Sequence, residues 1–69
     1  MKIKVNGKEK FIDLENEKAL LSTTLEFLGY RPNSIVVEVN DLIVNSNNWK
    51  DQIIKDGDKL EIVSIVGGG

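Results

Sequence analysis

The residues with the most distinctive chemistry are the glycines that close this 69-residue chain, Gly67, Gly68 and Gly69. Glycine loses more conformational freedom on ordering than any other residue, so this run predicts a flexible tail outside the core. A thread without side chains can enter a narrow channel, and three extended residues reach roughly 10 Å. The chemistry it offers is that of a terminal carboxylate carried to a buried reaction centre. A cloning scar or an end without a purpose is the alternative.

The composition excludes the reactive centres that need cysteine or histidine. The chain has no cysteine and no histidine, which rules out the usual Cys/His zinc sites, thiol catalysis and Ser-His catalysis. The segment Asp56-Gly57-Asp58 lacks the ligand spacing of a calcium loop and is predicted to be a turn. We therefore expect no catalytic residue, no metal and no bound cofactor in this chain.

The charge and hydropathy of the chain narrow the class of partner. The net charge is −2, without the strong basic excess of a general nucleic-acid binder. No run of about 18 apolar residues is present to span a membrane, and the opening MKIKVNGKEK has no apolar stretch typical of a signal peptide. We therefore expect a cytoplasmic protein that binds neither nucleic acid nor membrane.

The elements that must hold the tail begin with a hairpin. Residues 1–5 alternate between apolar and lysine side chains, which is typical of a strand with one buried face. Asn6-Gly7 favours a type I′ turn, because both residue types accept a positive φ. A second strand over residues 8–14 is therefore predicted to return antiparallel to the first.

The period then changes to that of one long helix. Apolar residues spaced three and four apart predict a helical stripe that faces the core. The predicted stripe consists of Leu20, Leu21, Leu25, Phe27 and Leu28. Asn16 is the predicted N-cap residue, and Gly29 is the predicted terminator because glycine accepts the left-handed conformation there.

Two strands are predicted in the middle of the chain. Residues 34–40 are rich in β-branched side chains, which is typical of a mostly buried strand. Asn40-Asp41 favours a tight turn into a short strand over residues 42–44. Trp49 and Ile53, four residues apart, are then predicted to fold onto the core, since large aromatic side chains contribute most through burial.

The last predicted strand, residues 59–66, carries apolar side chains on both faces. If Leu60 and Ile62 face the helix, alternation places Val63 and Ile65 on the opposite face beside the tail. Exposed β-branched residues next to a mobile terminus predict a small docking surface for partner proteins. The alternative is that these two residues only shield the outer face of the sheet.

The element order is therefore β-β-α-β-β-β, in which one amphipathic helix must cover one face of a mixed sheet of about five strands. This order belongs to the α+β class and matches a β-grasp fold, the architecture of ubiquitin. We predict one β-grasp domain over residues 1–66 and a flexible glycine tail over residues 67–69. The predicted core consists of Ile3, Val5, Leu21, Leu25, Leu28, Val37, Val39, Leu60 and Ile62.

Several short segments of this chain occur together in one known family. They are IKVNG near the start, VVEVN followed by IV, Trp49, KDGDKLEIV and the terminal VGGG. In their order and spacing the chain resembles the ThiS family of ubiquitin-like sulfur carriers of thiamine biosynthesis, over essentially its full length.

The resemblance implies a carrier rather than an enzyme. In that family the C-terminal carboxylate, here on Gly69, is adenylated by an E1-like (ThiF-like) enzyme that consumes ATP. The product is converted to a thiocarboxylate, with sulfur coming ultimately from the persulfide of a cysteine desulfurase. The thiocarboxylate donates its sulfur to thiazole synthase (ThiG-like), which builds the thiazole ring of thiamine. On this interpretation Gly67 and Gly68 thread into partner sites, and Val63 and Ile65 dock on the partners.

Two other classes of protein share this tail chemistry. The small subunit of molybdopterin synthase is also a β-grasp carrier that ends in Gly-Gly, and it donates sulfur to a pterin precursor. A ubiquitin-like modifier would instead join its tail to lysines of target proteins. Genes for thiazole synthase or for pterin enzymes beside this one would separate the first two, and isopeptide adducts in a lysate would identify the third.

Overall fold

The strands and the helix of this protein form where the local residue chemistry favours them. The computed structural model describes residues 1–13 and 19–65. Within these residues the element order is β-β-α-β-β-β, as predicted, with two short 3-10 turns. The elements are β1 (Lys2–Val5), β2 (Lys8–Phe11), α1 (Leu21–Leu28), the 3-10 turn Pro32–Ser34, β3 (Ile35–Val39), β4 (Leu42–Val44), the 3-10 turn Ser46–Asn48 and β5 (Lys59–Ser64).

Both predicted tight turns are confirmed. Asn6 has φ 52° and Gly7 has φ 83°, so the turn between β1 and β2 places both central residues in the left-handed region. Asn40 and Asp41 do the same between β3 and β4, with φ 51° and 72°. Asn and Asp tolerate this conformation because their short polar side chains can hydrogen-bond locally. The turns fix the two antiparallel hairpins on which the sheet is built.

The last strand lies at the centre of the sheet. The strand order is β2-β1-β5-β3-β4, with β5 parallel to β1 and antiparallel to β3. Within the sheet, β5 therefore lies between the two hairpins and pairs with a strand of each. This mixed five-stranded sheet with one main helix confirms the α+β, β-grasp prediction.

The helix α1 begins later in the chain than predicted. Leu20 has extended backbone angles, φ −90° and ψ 155°, and stands at the N-cap position, so the helix starts at Leu21. Asn16, the predicted N-cap, lies outside the described residues. The C-terminal prediction is confirmed, because Gly29 has φ 87° and its N–H donates to the carbonyl oxygens of the last turn.

One cluster of apolar side chains fills the space between the sheet and α1. Its buried members are Ile3, Val5, Ile12, Leu21, Leu25, Ile35, Val37, Val39, Trp49, Ile54, Leu60 and Ile62. The predicted core residues are all buried except Leu28, which is partly buried against the cluster. Trp49 is buried as predicted, and its indole N–H donates to the carbonyl oxygen of Val44 at 2.9 Å.

Two predicted core contacts are wrong. Phe27 is exposed, because α1 has only two turns and its buried side is limited to Leu21, Thr24 and Leu25. Ile53 is also exposed, and its neighbour Ile54 enters the core instead.

No helix in residues 1–13 and 19–65 is long and apolar enough to cross a membrane.

Candidate functional site

The candidate site begins where β5 reaches the glycine run. The end of β5 is held on both sides: the N–H of Ile65 donates to the carbonyl oxygen of Ser34 at 2.7 Å. On the other side, the side chain of Asn6 makes two hydrogen bonds with the backbone of Ile62. Its Nδ2 donates to the Ile62 carbonyl at 3.1 Å, and its Oδ1 accepts from the Ile62 N–H at 2.7 Å. These bonds fix the position from which the chain continues toward its glycines.

The predicted tail itself lies outside the described residues. Gly67, Gly68 and Gly69, together with Val66 and the predicted domain boundary after it, are in that part of the chain. The role of Gly69 as the reacting terminus and the threading role of Gly67 and Gly68 therefore stay predictions. What the structure supplies is the geometry of the strand that presents them.

The two predicted docking residues lie on the exposed face of the sheet. Leu60 and Ile62 point into the core, which leaves the side chain of Val63 59% exposed on the opposite face. Ile65, just beyond the strand, is 53% exposed. The face is therefore the one predicted by alternation. Whether these residues bind a partner stays a prediction.

Sequence reasoning missed two further apolar residues on the same face. Val36 lies directly opposite Val63 in the β3–β5 register and is partly exposed. Ile43 lies directly opposite Glu38 in the β3–β4 register and is 71% exposed. Alternation around Val37 would have placed Val36 outward. We call the set Val36, Ile43, Val63 and Ile65 the apolar patch.

Charged side chains border the apolar patch on the side away from the tail. Glu38 and Glu61 lie directly opposite each other on β3 and β5. Next along β5, the ammonium group of Lys59 lies 3.0 Å from a carboxylate oxygen of Asp41. The hydrogen bond to Asp41 and the attraction of its charge raise the pKa of Lys59, and the charges of Glu61 and Glu38 add to this effect. Along β3 and β5 the face is thus apolar toward the end of β5 and charged toward its start, while Ile43 on β4 lies beside Glu38.

Two small cavities lie among the described residues. A cavity of about 210 Å³ lies between β1, β2 and the turn at Gly57, and another of about 130 Å³ lies beside Trp49. Both are smaller than the roughly 300–1,000 Å³ that pockets for small molecules usually have. Within residues 1–13 and 19–65, no group of three His, Cys, Asp or Glu residues is placed to hold a metal.

A solved structure with the same fold bears directly on this arrangement. The crystal structure of the thiamine biosynthesis protein ThiS from Geobacter metallireducens superimposes with a TM-score of 0.83. The two chains are 28% identical, and the match covers all of both. A solution structure of a thiamine biosynthesis protein from the same organism gives a TM-score of 0.79, covering all of this chain and 88% of that one.

Two curated relatives show different overall lengths. The protein ycf40 of Trieres chinensis is 35% identical over 65 residues, which is 94% of this chain and 85% of that protein. The thiazole synthase of Paramagnetospirillum magneticum is 39% identical over 70 residues, which is all of this chain but only 20% of the synthase. The sequence model of the ThiS family matches residues 3–69, and this includes the whole glycine run. The chain therefore belongs to the ThiS family.

Proposed function

We propose that this protein is a sulfur carrier in thiamine biosynthesis, which delivers sulfur as a thiocarboxylate on Gly69 to the enzyme that builds the thiazole ring. The observation that carries this proposal is the family match over residues 3–69, because it includes the glycines on which the chemistry depends. The similarity to a solved thiamine biosynthesis protein over the full length of both chains supports it. We expect the carrier to act in the cytoplasm.

The proposed chemistry takes place on the Gly69 carboxylate within partner enzymes. A carboxylate is a poor acceptor for sulfur, because oxide is a poor leaving group. An E1-like enzyme transfers AMP from ATP to the carboxylate, which releases pyrophosphate and leaves an acyl-adenylate. The outer sulfur of an enzyme persulfide attacks the acyl carbon, AMP leaves, and an acyl disulfide forms. A second thiol then cleaves the S–S bond, which releases the thiocarboxylate and a disulfide.

The residues of this chain present the terminus rather than carry out the reaction. The backbone bond between Ile65 and Ser34 and the paired bonds of Asn6 hold the end of β5. The glycines beyond it have no Cβ. They can therefore enter a narrow channel and adopt the backbone angles needed at the reaction centre. Val63 and Ile65 give partner enzymes an apolar surface beside the end of β5.

Thiazole synthase is the partner best supported by the relatives. In two thiazole synthases, from Paramagnetospirillum magneticum and Magnetococcus marinus, a segment similar to all of this chain makes up 20% of a longer protein. A carrier-like segment and a synthase on one chain are permanently close to each other. This supports a partnership between the present carrier and a separate synthase.

Deletion of Gly69 tests the proposal directly. The shortened protein keeps a terminal carboxylate, but that group is displaced by roughly 3 Å from its place in the partner. Such a misplacement costs rate heavily, because the attacking oxygen must lie in line with the phosphorus. Wild type, the deletion and the exposed control Lys10→Ala are incubated with the adenylating enzyme, ATP and a sulfur source, and the intact proteins are weighed. Wild type and the control should gain the mass of one sulfur replacing one oxygen, and the deletion should not.

The same experiment can contradict the proposal in two ways. Equal conversion of the deletion and wild type would show that the exact position of the terminal carboxylate does not matter. Lysine isopeptide adducts in place of a thiocarboxylate would favour a ubiquitin-like modifier. Equal melting midpoints for the three proteins would confirm that the changes leave the fold intact.

A further inference from the structure

The charges beside the apolar patch are arranged unfavourably for the free protein. Glu38 and Glu61 are directly opposite partners in the antiparallel β3–β5 pair, so their side chains leave the same face. Backbone hydrogen bonds join two other directly opposite pairs of the same ladder, Asn40 with Lys59 and Ser34 with Ile65. Along an antiparallel ladder, hydrogen-bonded pairs alternate with pairs that are not hydrogen-bonded. By this alternation Glu38 and Glu61 form a hydrogen-bonded pair, with Cα atoms roughly 5.5 Å apart. Like charges placed this way destabilise a sheet.

The one cation beside this pair on β5 is already engaged. Lys59 forms its ion pair with Asp41 at 3.0 Å, and the hydrogen bond to Asp41 is the main reason that its pKa is raised. Lys4 of β1 lies directly opposite Lys59 in the β1–β5 register and brings a second ammonium group to the same face. The three carboxylates of Glu38, Glu61 and Asp41 therefore outnumber the nearby ammonium groups by one. The Glu38–Glu61 pair keeps an excess of negative charge, next to apolar side chains that are themselves exposed.

We propose that the apolar patch and the Glu38–Glu61 pair form one docking surface, and that its occupant is thiazole synthase, with an arginine of the synthase lying between the two carboxylates. Arginine fits this place because its planar guanidinium can donate to two carboxylates at once, whereas lysine offers a single point charge. The apolar patch lies against an apolar area beside that arginine. The inference rests on the proposed function and adds the chemistry by which the partner is recognised.

The two thiazole synthases that contain a segment similar to this chain favour the synthase as the occupant, and the position of the surface beside the tail fits it. Val36 and Val63 form the pair next to Glu38–Glu61, and Ile65 follows toward the glycine run. Gly69 is the fourth residue after Ile65, so the terminus reaches at most roughly 14 Å from the edge of the patch. A synthase bound here would hold the terminus within reach of its own active site. The charge order on the face also defines the direction in which the carrier binds.

Binding of the unmodified carrier to thiazole synthase from the same organism tests the inference. The double variant Glu38→Gln, Glu61→Gln removes both charges and keeps the side-chain size, and we expect binding to weaken about 10- to 100-fold in titration calorimetry. The control is Glu26→Gln, Asp51→Asn, which removes two charges at exposed positions away from this face. Because the two variants have the same net charge, a difference between them reports position rather than overall charge.

Two further readouts distinguish recognition from a structural effect. The affinity of wild type should fall more steeply with added salt than that of the Gln variant, because salt screens the charge pairing. The free Gln variant should melt roughly 2–5 °C higher than wild type, since a like-charge cross-strand pair has been removed. Weaker binding by a more stable protein cannot be explained by unfolding.

The outcomes separate this inference from the proposed function. Equal affinity of wild type and the Gln variant for the synthase would overturn the inference, while thiocarboxylate formation on Gly69 would still stand. Weakened binding to the adenylating enzyme alone would show that the chosen occupant is wrong. Failure of wild type to bind the synthase would overturn both the inference and the proposed delivery of sulfur to that enzyme.

Discussion

At the scale of single residues, two neighbouring threonines in α1 have opposite hydrogen-bonding situations. The hydroxyl of Thr23 accepts from the Leu20 N–H at 3.1 Å and donates to the Leu20 carbonyl at 2.9 Å. The hydroxyl of Thr24 is fully buried and has no partner among residues 1–13 and 19–65. A buried polar atom without a partner lowers stability by its desolvation cost.

Replacing each threonine with valine should therefore change stability in opposite directions. Thr24→Val keeps the shape and removes the unpaired hydroxyl, so the free energy of unfolding should rise by about 1–2 kcal/mol. Thr23→Val is the matched control, because it makes the same chemical change one residue away. It should lower stability by about 1 kcal/mol through loss of the bonds to Leu20. Urea unfolding of both variants measures this, and a loss of stability in Thr24→Val would show that its hydroxyl is satisfied in solution.

At the scale of elements, α1 is held to the sheet by a narrow apolar side. Leu25 is buried in the central cluster, while Phe27 is exposed two residues later on the same helix. Leu25→Ala should lower the free energy of unfolding by about 2–5 kcal/mol, the cost of lost burial and a residual cavity. Phe27→Ala should change it by less than about 1 kcal/mol. If the denaturation midpoints of the two variants were equal, Leu25 would not be part of the core.

Local sequence chemistry predicted the parts of the fold that depend on neighbouring residues. The positive φ at Asn6-Gly7 and at Asn40-Asp41 follows from residue type, and the buried face of β5 follows from alternation. The outward face of Val63 was predictable for the same reason. These features need no knowledge of contacts that are distant in sequence.

The features that sequence reasoning missed depend on distant contacts. Leu20 forms an isolated bridge with Ile53, and the Leu21 N–H donates to the carbonyl oxygen of Gln52 at 2.8 Å. This pairing holds Leu20 in extended geometry and delays the start of α1. It also directs Ile54 rather than Ile53 into the core. Periodicity within one segment carries no information about such pairing. For the same reason the sequence did not indicate that Ile43 lies on the predicted docking face.

At the scale of the whole molecule, the outer face of the sheet should bind partners at one end only. The double variant Val63→Asp, Ile65→Asp places two charges in the apolar patch, and we expect it to weaken binding to the adenylating enzyme at least tenfold. Since both side chains are exposed, the fold should remain largely intact. Phe11→Asp is the control for adding a charge elsewhere on the sheet, because Phe11 is exposed on the edge strand β2, far from the tail.

Circular dichroism of the same variants decides how the binding result is interpreted. A folded double variant that binds as tightly as wild type would remove Val63 and Ile65 from the docking surface. An unfolded double variant would show that these side chains stabilise the sheet. Weak binding by Phe11→Asp as well would extend the surface across the whole outer face.

The parallel pairing of β1 with β5 also determines how this domain responds to mechanical force. The two strands are neighbours, and they run in the same direction. A pull on the chain beyond Ile65, against an anchor at Met1, drags the strands past each other along their length. The bonds between them are then loaded together rather than broken one at a time. A protein-unfolding motor that pulls on the glycine end against such an anchor would therefore have to break these hydrogen bonds together rather than one at a time.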